Sequence, residues 1–191
     1  MEEFFMSPNV KNYIKQNANI PNLLTLLRII LIPVYWHYFI VYPSAVLERF
    51  IIFVAASVTD ALDGYIARKY HQITDLGKLF DPLADKLMVT SVLLSQYMAG
   101  VLPLLPILIM LGKDVLLIIG SAFLLKKKLV VYANIWGKAA TVSFMLSLAL
   151  SFFHTHLTAR YDIILLWISV ALSLVAFLSY LIRAIQYMKQ N

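Results

Sequence analysis

Long apolar runs separated by short polar stretches dominate the hydropathy pattern of this chain. The runs cover residues 22–41, 46–69, 78–99, 103–125, 135–154 and 161–187. An α-helix rises about 1.5 Å per residue, so roughly twenty apolar residues cross the hydrocarbon core of a bilayer, and each run is near that length. The pattern predicts an all-α, polytopic membrane protein with six transmembrane helices.

The segment before the first run is too polar to span a membrane. Its apolar residues can share one side of a helix: Phe4, Phe5, Val10, Tyr13 and Ile14. Lys11 and Lys15 would then lie near anionic headgroups, although Pro8 interrupts the segment. Residues 2–17 therefore predict a short N-terminal interfacial helix, with a disordered tail as the alternative.

Composition supports a single membrane domain over residues 1–191. Apolar residues make up 61% of the chain, far above the usage of soluble proteins. The chain has no cysteine, which excludes disulfides and thiol chemistry. It starts with acidic residues and shows no small-residue cleavage site, so a cleaved signal peptide is not expected.

The net charge of +6 could suggest nucleic-acid binding, but the distribution of the basic residues along the chain indicates a membrane topology instead. Ten basic residues fall on one side of the predicted spans: Lys11, Lys15, Arg68, Lys69, Lys78, Lys126, Lys127, Lys128, Arg183 and Lys189. The other side has only Arg49 and Arg160. The positive-inside rule then predicts a multi-pass protein of the cell membrane with both termini in the cytoplasm.

Four carboxylates stand out in the stretch 60–85 of this otherwise apolar chain. Asp60 and Asp63 are three residues apart, and Asp81 and Asp85 are four apart, so each pair shares one face of its helix. The polar residues between the pairs predict a turn at the cytoplasmic boundary. Solvated loop acids are the alternative, but acids inside membrane helices usually mark functional sites.

Converging carboxylates must be neutralised, either by protons or by cations. Hard oxygen ligands of this number suit two divalent cations, Mg²⁺ or Mn²⁺, which can clamp a diphosphate. The small Gly64 and Ala67 lie on or near the same helix face and would admit a bulky ligand, and Arg68 offers a fork for phosphate. The stretch predicts a metal-dependent phosphoryl-transfer site.

The motif Asp60-x2-Asp63-Gly64-x2-Ala67-Arg68-x8-Gly77-x3-Asp81-x3-Asp85 resembles the signature of the CDP-alcohol phosphotransferases. The resemblance implies a homodimer of six-helix protomers in which an alcohol displaces CMP from a CDP-linked lipid, here CDP-diacylglycerol. It further implies that Asp60, Asp63 and Asp81 hold two divalent ions, with Asp85 beside them as general base. The residues expected at the CDP site are Asp63, Gly64, Ala67, Arg68, Thr74, Gly77 and Asp81, although Thr74 is equally typical of an ordinary turn.

Three cations inside or at the ends of the spans are candidates for binding the acceptor alcohol. Arg28 lies within the first run, Lys113 precedes Asp114 in the fourth, and Lys138 opens the fifth. Each has an alternative: Arg28 and Lys138 can extend to the headgroups, and Lys113 can form a neutralised pair with Asp114.

Two branches of the family remain open on these residues. The stretches Asn19-Ile20-Pro21-Asn22 and Asp81-Pro82-Leu83-Ala84-Asp85 resemble both phosphatidylglycerophosphate synthases, whose acceptor is glycerol 3-phosphate, and cardiolipin synthases, whose acceptor is phosphatidylglycerol. Lys113-Asp114 and Ser121 replace the Arg-Glu pair and second arginine typical of the first branch. We expect glycerol 3-phosphate, with phosphatidylglycerol as the alternative and a non-enzymatic transporter or scaffold as a remote one.

Overall fold

The structure, a computed structural model, describes residues 19–70, 74–126 and 135–190. Within those ranges it contains six α-helices and no strand: α1 (Ile20–Val41), α2 (Val46–Lys69), α3 (Asp75–Met98), α4 (Leu104–Lys126), α5 (Ile135–Ser151) and α6 (Tyr161–Gln190). A short 3₁₀ turn, His154–His156, precedes α6. The predicted all-α class and the position of every predicted span are confirmed. The predicted interfacial helix at 2–17 lies outside the described residues.

Three segments of the described helices are long and apolar enough to cross a membrane: Ile20–Val41, Val46–Ala67 and Tyr161–Gln186. The helix Ile135–Ser151 is apolar but shorter. Charged residues in the first half of α3, among them Asp81, Asp85 and Lys86, keep that helix outside the same criterion. Length and composition therefore identify a membrane protein, and α3 differs from its three longest apolar segments by these charged residues.

The chain divides into two units, Met1–Ser95 and Gln96–Asn191. In the first unit α1 packs against α2, and polar side chains of α1 are buried while many of its apolar side chains are exposed. Thr25, Arg28 and Tyr35 are buried on α1, whereas apolar side chains such as Leu23 and Ile40 are exposed. An apolar exterior around a polar interior is what a lipid solvent favours, because polar groups find partners only inside the protein.

The α1–α2 connection is held by Arg49 of α2. Its guanidinium donates from Nη2 to the Pro43 carbonyl at 2.9 Å and from Nε to the Ala45 carbonyl at 3.3 Å. The same group lies 5.4 Å from the centroid of the Phe39 ring. Because two carbonyls and an aromatic ring satisfy this buried cation, Arg49 stabilises the α1–α2 hairpin.

The third helix begins earlier than the sequence pattern predicts, at Asp75 and not near residue 78. Thr74 is the reason, because its hydroxyl accepts the Gly77 N–H at 3.0 Å and so caps the first turn. Pro82 consequently lies inside the helix, about two turns after its start. At the other end, the Tyr35 and Ser95 hydroxyls lie 2.5 Å apart and join α3 to α1.

In the second unit α5 packs along α6 through small hydroxyl side chains. Ser147 donates to the Asp162 carbonyl at 2.7 Å, and Ser143 donates to the Leu165 carbonyl at 3.2 Å. The buried Asp162 carboxylate accepts from Arg160 Nε at 3.0 Å and Nη2 at 2.9 Å, and these bonds raise the pKa of Arg160 above its ordinary value. The pair joins the residue before α6 to the first turn of that helix.

Candidate active site

Two carboxylates on α2 form one wall of the site. Asp60 and Asp63 lie one helical turn apart, as their spacing predicts. Their environments differ: the Asp63 side chain is only 3% exposed, whereas that of Asp60 is 43% exposed. Asp63 is therefore buried in the protein, whereas Asp60 is partly exposed.

Arg28 of α1 is the cation that balances this wall. Its Nη2 donates to Asp63 Oδ2, and its Nη1 lies 3.0 Å from Asp60 Oδ1. The guanidinium is 1% exposed, so the Arg28–Asp63 pair is a buried ion pair joining α1 to α2. Removing one partner of such a pair typically destabilises a protein by about 3–5 kcal/mol, because the other charge is left uncompensated.

The first turns of α3, which carry the second acidic pair, are held against α1. Asp81 Oδ1 accepts a hydrogen bond from the Thr25 hydroxyl of α1. Thr74, immediately before α3, donates its hydroxyl to Asn22 Oδ1 at 3.0 Å. Two side chains of α1 thus fix the start of α3 beside the acids of α2.

Gly77 allows α1 and α3 to approach this closely. A Cβ added at Gly77 would lie 2.9 Å from Asn22 Oδ1, 3.1 Å from Thr74 Oγ1 and 3.5 Å from Asp81 Oδ2. The first two distances are shorter than ordinary van der Waals contacts. The two side chains concerned, Asn22 and Thr74, are hydrogen-bonded to each other and so are not free to move away. Only glycine fits here without displacing the cap of α3.

Replacing Gly77 with alanine should therefore lower the free energy of unfolding by about 1–3 kcal/mol, as overpacking usually does. Gly112→Ala is the matched control, because an added Cβ at Gly112 of α4 meets nothing within 4 Å. That helical substitution should be neutral or stabilising, by up to about 1 kcal/mol. The melting temperatures of the two detergent-solubilised variants make the comparison, and equal values would contradict the packing argument.

The four acids act on one another electrostatically. Asp63 interacts with Asp60 and Asp81 as well as with Arg28. Asp85, one turn beyond Asp81, interacts with Asp60, Arg28 and Lys86. Thr25 and Arg28 are three residues apart on α1 and bond to Asp81 and Asp63, so one acid of each pair lies against the same face of α1.

The donor set suits a hard divalent cation, although it is not arranged as a ligand cluster. Among the described side chains, no group of three or more His, Cys, Asp or Glu residues is placed to hold a metal ion. Arg28 bonds to Asp63, and Thr25 bonds to Asp81, so oxygens that would coordinate an ion have other partners. The carboxylates fit Mg²⁺ or Mn²⁺ in chemistry and charge, and their roles as ligands stay predictions.

The remaining residues predicted for CDP lie on the same two helices. Gly64 and Ala67 are partly exposed on α2, one and four residues after Asp63, and Gly77 is buried in the first turn of α3. The Arg68 side chain lies outside the described part of the structure, as does that of Lys78. Roles for these residues in nucleotide binding stay predictions.

The three candidate acceptor-binding cations are divided between the two units of the chain. Arg28 contacts Asp60 and Asp63 within the first unit. Lys113 and Lys138 belong to the second unit, where Lys113 Nζ lies 2.8 Å from Asp114 Oδ1 and Lys138 is exposed in the first turn of α5. The ion pair is the arrangement that the alternative interpretation of Lys113 predicts, and the acceptor roles stay predictions.

The site also uses two residues that our sequence analysis did not single out as functional, Asn22 and Thr25. With Arg28 they form a stripe of polar residues at intervals of three along α1, and each contacts a different part of the acidic site. The sequence contains a pattern that could have identified them, because three polar residues at this spacing in a Leu- and Ile-rich run share one helix face.

Comparison with known proteins agrees with this geometry. The model of the CDP-alcohol phosphatidyltransferase family matches residues 18–175, which include α1 and the whole acidic motif. This chain belongs to that family. The predicted family and its enzyme class, transferase, are confirmed, and enzymes of this family generally use divalent metal ions.

Curated relatives resemble the chain over most of its length. A protein of Aquifex aeolicus is 39% identical over 132 residues, covering 68% of this chain and 73% of the relative. One of Rickettsia bellii is 37% identical over 137 residues, covering 71% and 76%. One of Haemophilus influenzae is 33% identical over 169 residues, covering 85% and 91%. All three are named CDP-diacylglycerol–glycerol-3-phosphate 3-phosphatidyltransferase.

Proposed function

We propose that this membrane protein transfers the phosphatidyl group of CDP-diacylglycerol to glycerol 3-phosphate and releases CMP. The observation that carries the proposal is the coincidence of two facts. The acidic motif is complete, and side chains of α1 bond to one acid of α2 and one acid of α3. A relative that matches 85% of the chain is named for this reaction. Phosphatidylglycerophosphate synthase activity is therefore the function that the site supports best.

The carboxylates of Asp60, Asp63, Asp81 and Asp85 would hold two divalent ions, Mg²⁺ or Mn²⁺. Such ions neutralise the charge that develops on a diphosphate during displacement. Gly64, Ala67, Arg68, Thr74 and Gly77 would line the cytidine diphosphate site, where the small residues admit the ligand close to the backbone. We propose Arg28, Lys113 and Lys138 as acceptor-site residues.

Asp85 would act as the general base. Its carboxylate would accept the proton of the acceptor hydroxyl while the hydroxyl oxygen forms a bond to the phosphorus of the phosphatidyl group. The bond from that phosphorus to the bridging oxygen breaks, and CMP leaves with the electron pair. The proton rests on Asp85 until solvent removes it, so this displacement needs no covalent enzyme intermediate.

A cardiolipin synthase activity with phosphatidylglycerol as acceptor is the second candidate. The observation that favours it is the ion pair between Lys113 and Asp114, which engages a cation that a phosphomonoester would need. Phosphatidylglycerol has no phosphomonoester and makes no such demand.

The acceptor can be identified with purified protein, CDP-diacylglycerol and Mn²⁺ by following CMP release. We expect glycerol 3-phosphate to support release and phosphatidylglycerol to support none. The opposite result would contradict the proposal in favour of cardiolipin synthesis, and release with neither acceptor would contradict both.

The proposed orientation places both termini and the acidic site on the cytoplasmic side of the cell membrane. In this cysteine-free chain, a cysteine at the exposed Thr158, before α6, should react with an impermeant thiol reagent added outside intact cells. A cysteine at the exposed Tyr70, after α2, should react only after the membrane is opened, because an odd number of spans separates the two positions. The reverse labelling pattern would contradict the orientation.

A homodimer is the proposed assembly, because family resemblance implies it. Chemical cross-linking in native membranes should trap a species of twice the protomer mass.

A further inference from the structure

The positive charge of the Arg28 guanidinium is neutralised, but most of its N–H donors have no hydrogen-bond acceptor among the described residues. Among the described residues, Nη2 is the one nitrogen of the three that donates a hydrogen bond, and its acceptor is Asp63. Nη1 lies 3.0 Å from Asp60 Oδ1 without the alignment of a hydrogen bond, and Nε has no acceptor among the described residues. The side chain is nevertheless 1% exposed.

Such an arrangement is unusual for a purely structural arginine. A guanidinium has five N–H donors, and buried donors without acceptors destabilise the folded state. Arg49, on the partner helix of the same hairpin, shows the structural alternative, because its Nε and Nη2 both donate to carbonyls of the α1–α2 connection. Arg28 lacks a complete set of hydrogen bonds among the described residues, but it lies close to the negative charges of Asp60 and Asp63.

Those two charges belong to carboxylates on the face that holds the proposed metal site. While Arg28 is bonded to Asp63 and in contact with Asp60, the described acids do not form a group that could hold an ion. A divalent cation placed on these carboxylates would be repelled by the guanidinium, so the two cations compete for Asp60 and Asp63.

We propose that Arg28 is the resident counter-cation of the carboxylate site. It neutralises Asp60 and Asp63 before divalent ions arrive and gives up these carboxylates to the ions as the site is loaded. This inference rests on the proposed metal site. Arg28 is then a positioning residue, which keeps four acids folded together and sets the ion concentration needed to load them.

The exchange has two measurable consequences. Without Arg28, the ion-free protein has uncompensated acids and should be less stable. Divalent ions would then meet no competing cation, so they should bind more tightly. A purely structural arginine would change stability and leave the affinity for ions unchanged, which separates the two roles.

The test measures Mn²⁺ binding to substrate-free, detergent-solubilised protein from the electron paramagnetic resonance signal of the free ion. Arg28→Gln should lower the half-saturating Mn²⁺ concentration on the order of tenfold and lower the melting temperature of the ion-free protein. Arg28→Lys keeps the charge but loses the fork, so it should lower the half-saturating concentration by a smaller factor. Arg49→Gln is the matched control, and it should lower the melting temperature while the half-saturating concentration stays that of the wild type.

Unchanged or weaker Mn²⁺ binding in Arg28→Gln, beside a wild type that binds the ion, would overturn this inference alone. If Arg28→Gln does not fold, Arg28→Lys decides, because unchanged or weaker binding in that variant overturns the inference as well. A wild type that binds no Mn²⁺ would overturn the proposed metal site and this inference with it.

Discussion

Replacing Asp85 with asparagine is expected to abolish CMP release while CDP-diacylglycerol still binds. Asparagine keeps the shape of the side chain but cannot accept a proton from the acceptor hydroxyl. General-base catalysis typically contributes about 10²–10⁴-fold, so kcat should fall by at least that range while the dissociation constant of CDP-diacylglycerol changes little. Steady-state CMP release and equilibrium binding of the nucleotide lipid measure the two quantities separately.

Glu48→Gln is the matched control for Asp85→Asn. Glu48 is an exposed acid in the first turn of α2, and it lies outside the acidic motif. Its neutralisation removes one negative charge from the same unit and should leave CMP release at the level of the wild type. Near-normal activity in Asp85→Asn would eliminate the assigned role, whereas equal losses in both variants would point to a general charge effect.

Removing divalent ions is expected to stop the reaction and to lower the melting temperature of the protein. A ligand present at a hundred times its dissociation constant stabilises the folded state by about 2.7 kcal/mol, which corresponds to roughly 5–10 °C for a chain of this size. The rise on adding Mn²⁺ or Mg²⁺ should shrink in Asp60→Asn and Asp81→Asn, because each loses a charged ligand. Chelation followed by titration with either ion measures the rise.

Asp162→Asn provides the control for that experiment. Asp162 is a fully buried acid paired with Arg160 at the start of α6, so its neutralisation should destabilise the protein. It is not part of the acidic motif, so the rise on adding ions should equal that of the wild type. If Asp60→Asn and Asp81→Asn gain as much from the ions as Asp162→Asn does, the two carboxylates are not ligands.

Patterns local to one helix were predictable from the sequence. The positions of the six helices follow from apolar runs of membrane length, because a run of about twenty apolar residues crosses the bilayer core as a helix. The shared faces of Asp60 with Asp63 and of Asp81 with Asp85 follow from their spacing. These features depend only on helix geometry, which is the same in every protein.

Features that depend on the rotation of one helix against another were not predictable. The guanidinium of Arg28 contacts Asp60 and Asp63, because α1 turns that face toward α2. Thr25 and Asn22 share the face but contact α3 and the turn before it. Spacing within α1 shows that the three residues lie together, but it does not show which neighbouring helix they meet.

The start of α3 shows a second limit of sequence reasoning. The predicted spans 46–69 and 78–99 leave residues 70–77 as the connecting turn, whereas α3 already begins at Asp75. The Thr74 hydroxyl is what ends the turn, and its bond to Asn22 is a contact between distant parts of the chain. Threonine is typical of both turns and helix caps, so its role is settled only when the helices pack.

The most direct test of the central claim is the fate of radiolabelled glycerol 3-phosphate in vesicles that contain the purified protein, CDP-diacylglycerol and Mn²⁺. The account predicts that the label enters the lipid phase in a product with a phosphomonoester, removable by alkaline phosphatase, together with an equal amount of CMP. No labelled lipid should form without CDP-diacylglycerol, without divalent ions or with Asp85→Asn. Label that stays in the aqueous phase, while phosphatidylglycerol supports CMP release under the same conditions, would contradict the account.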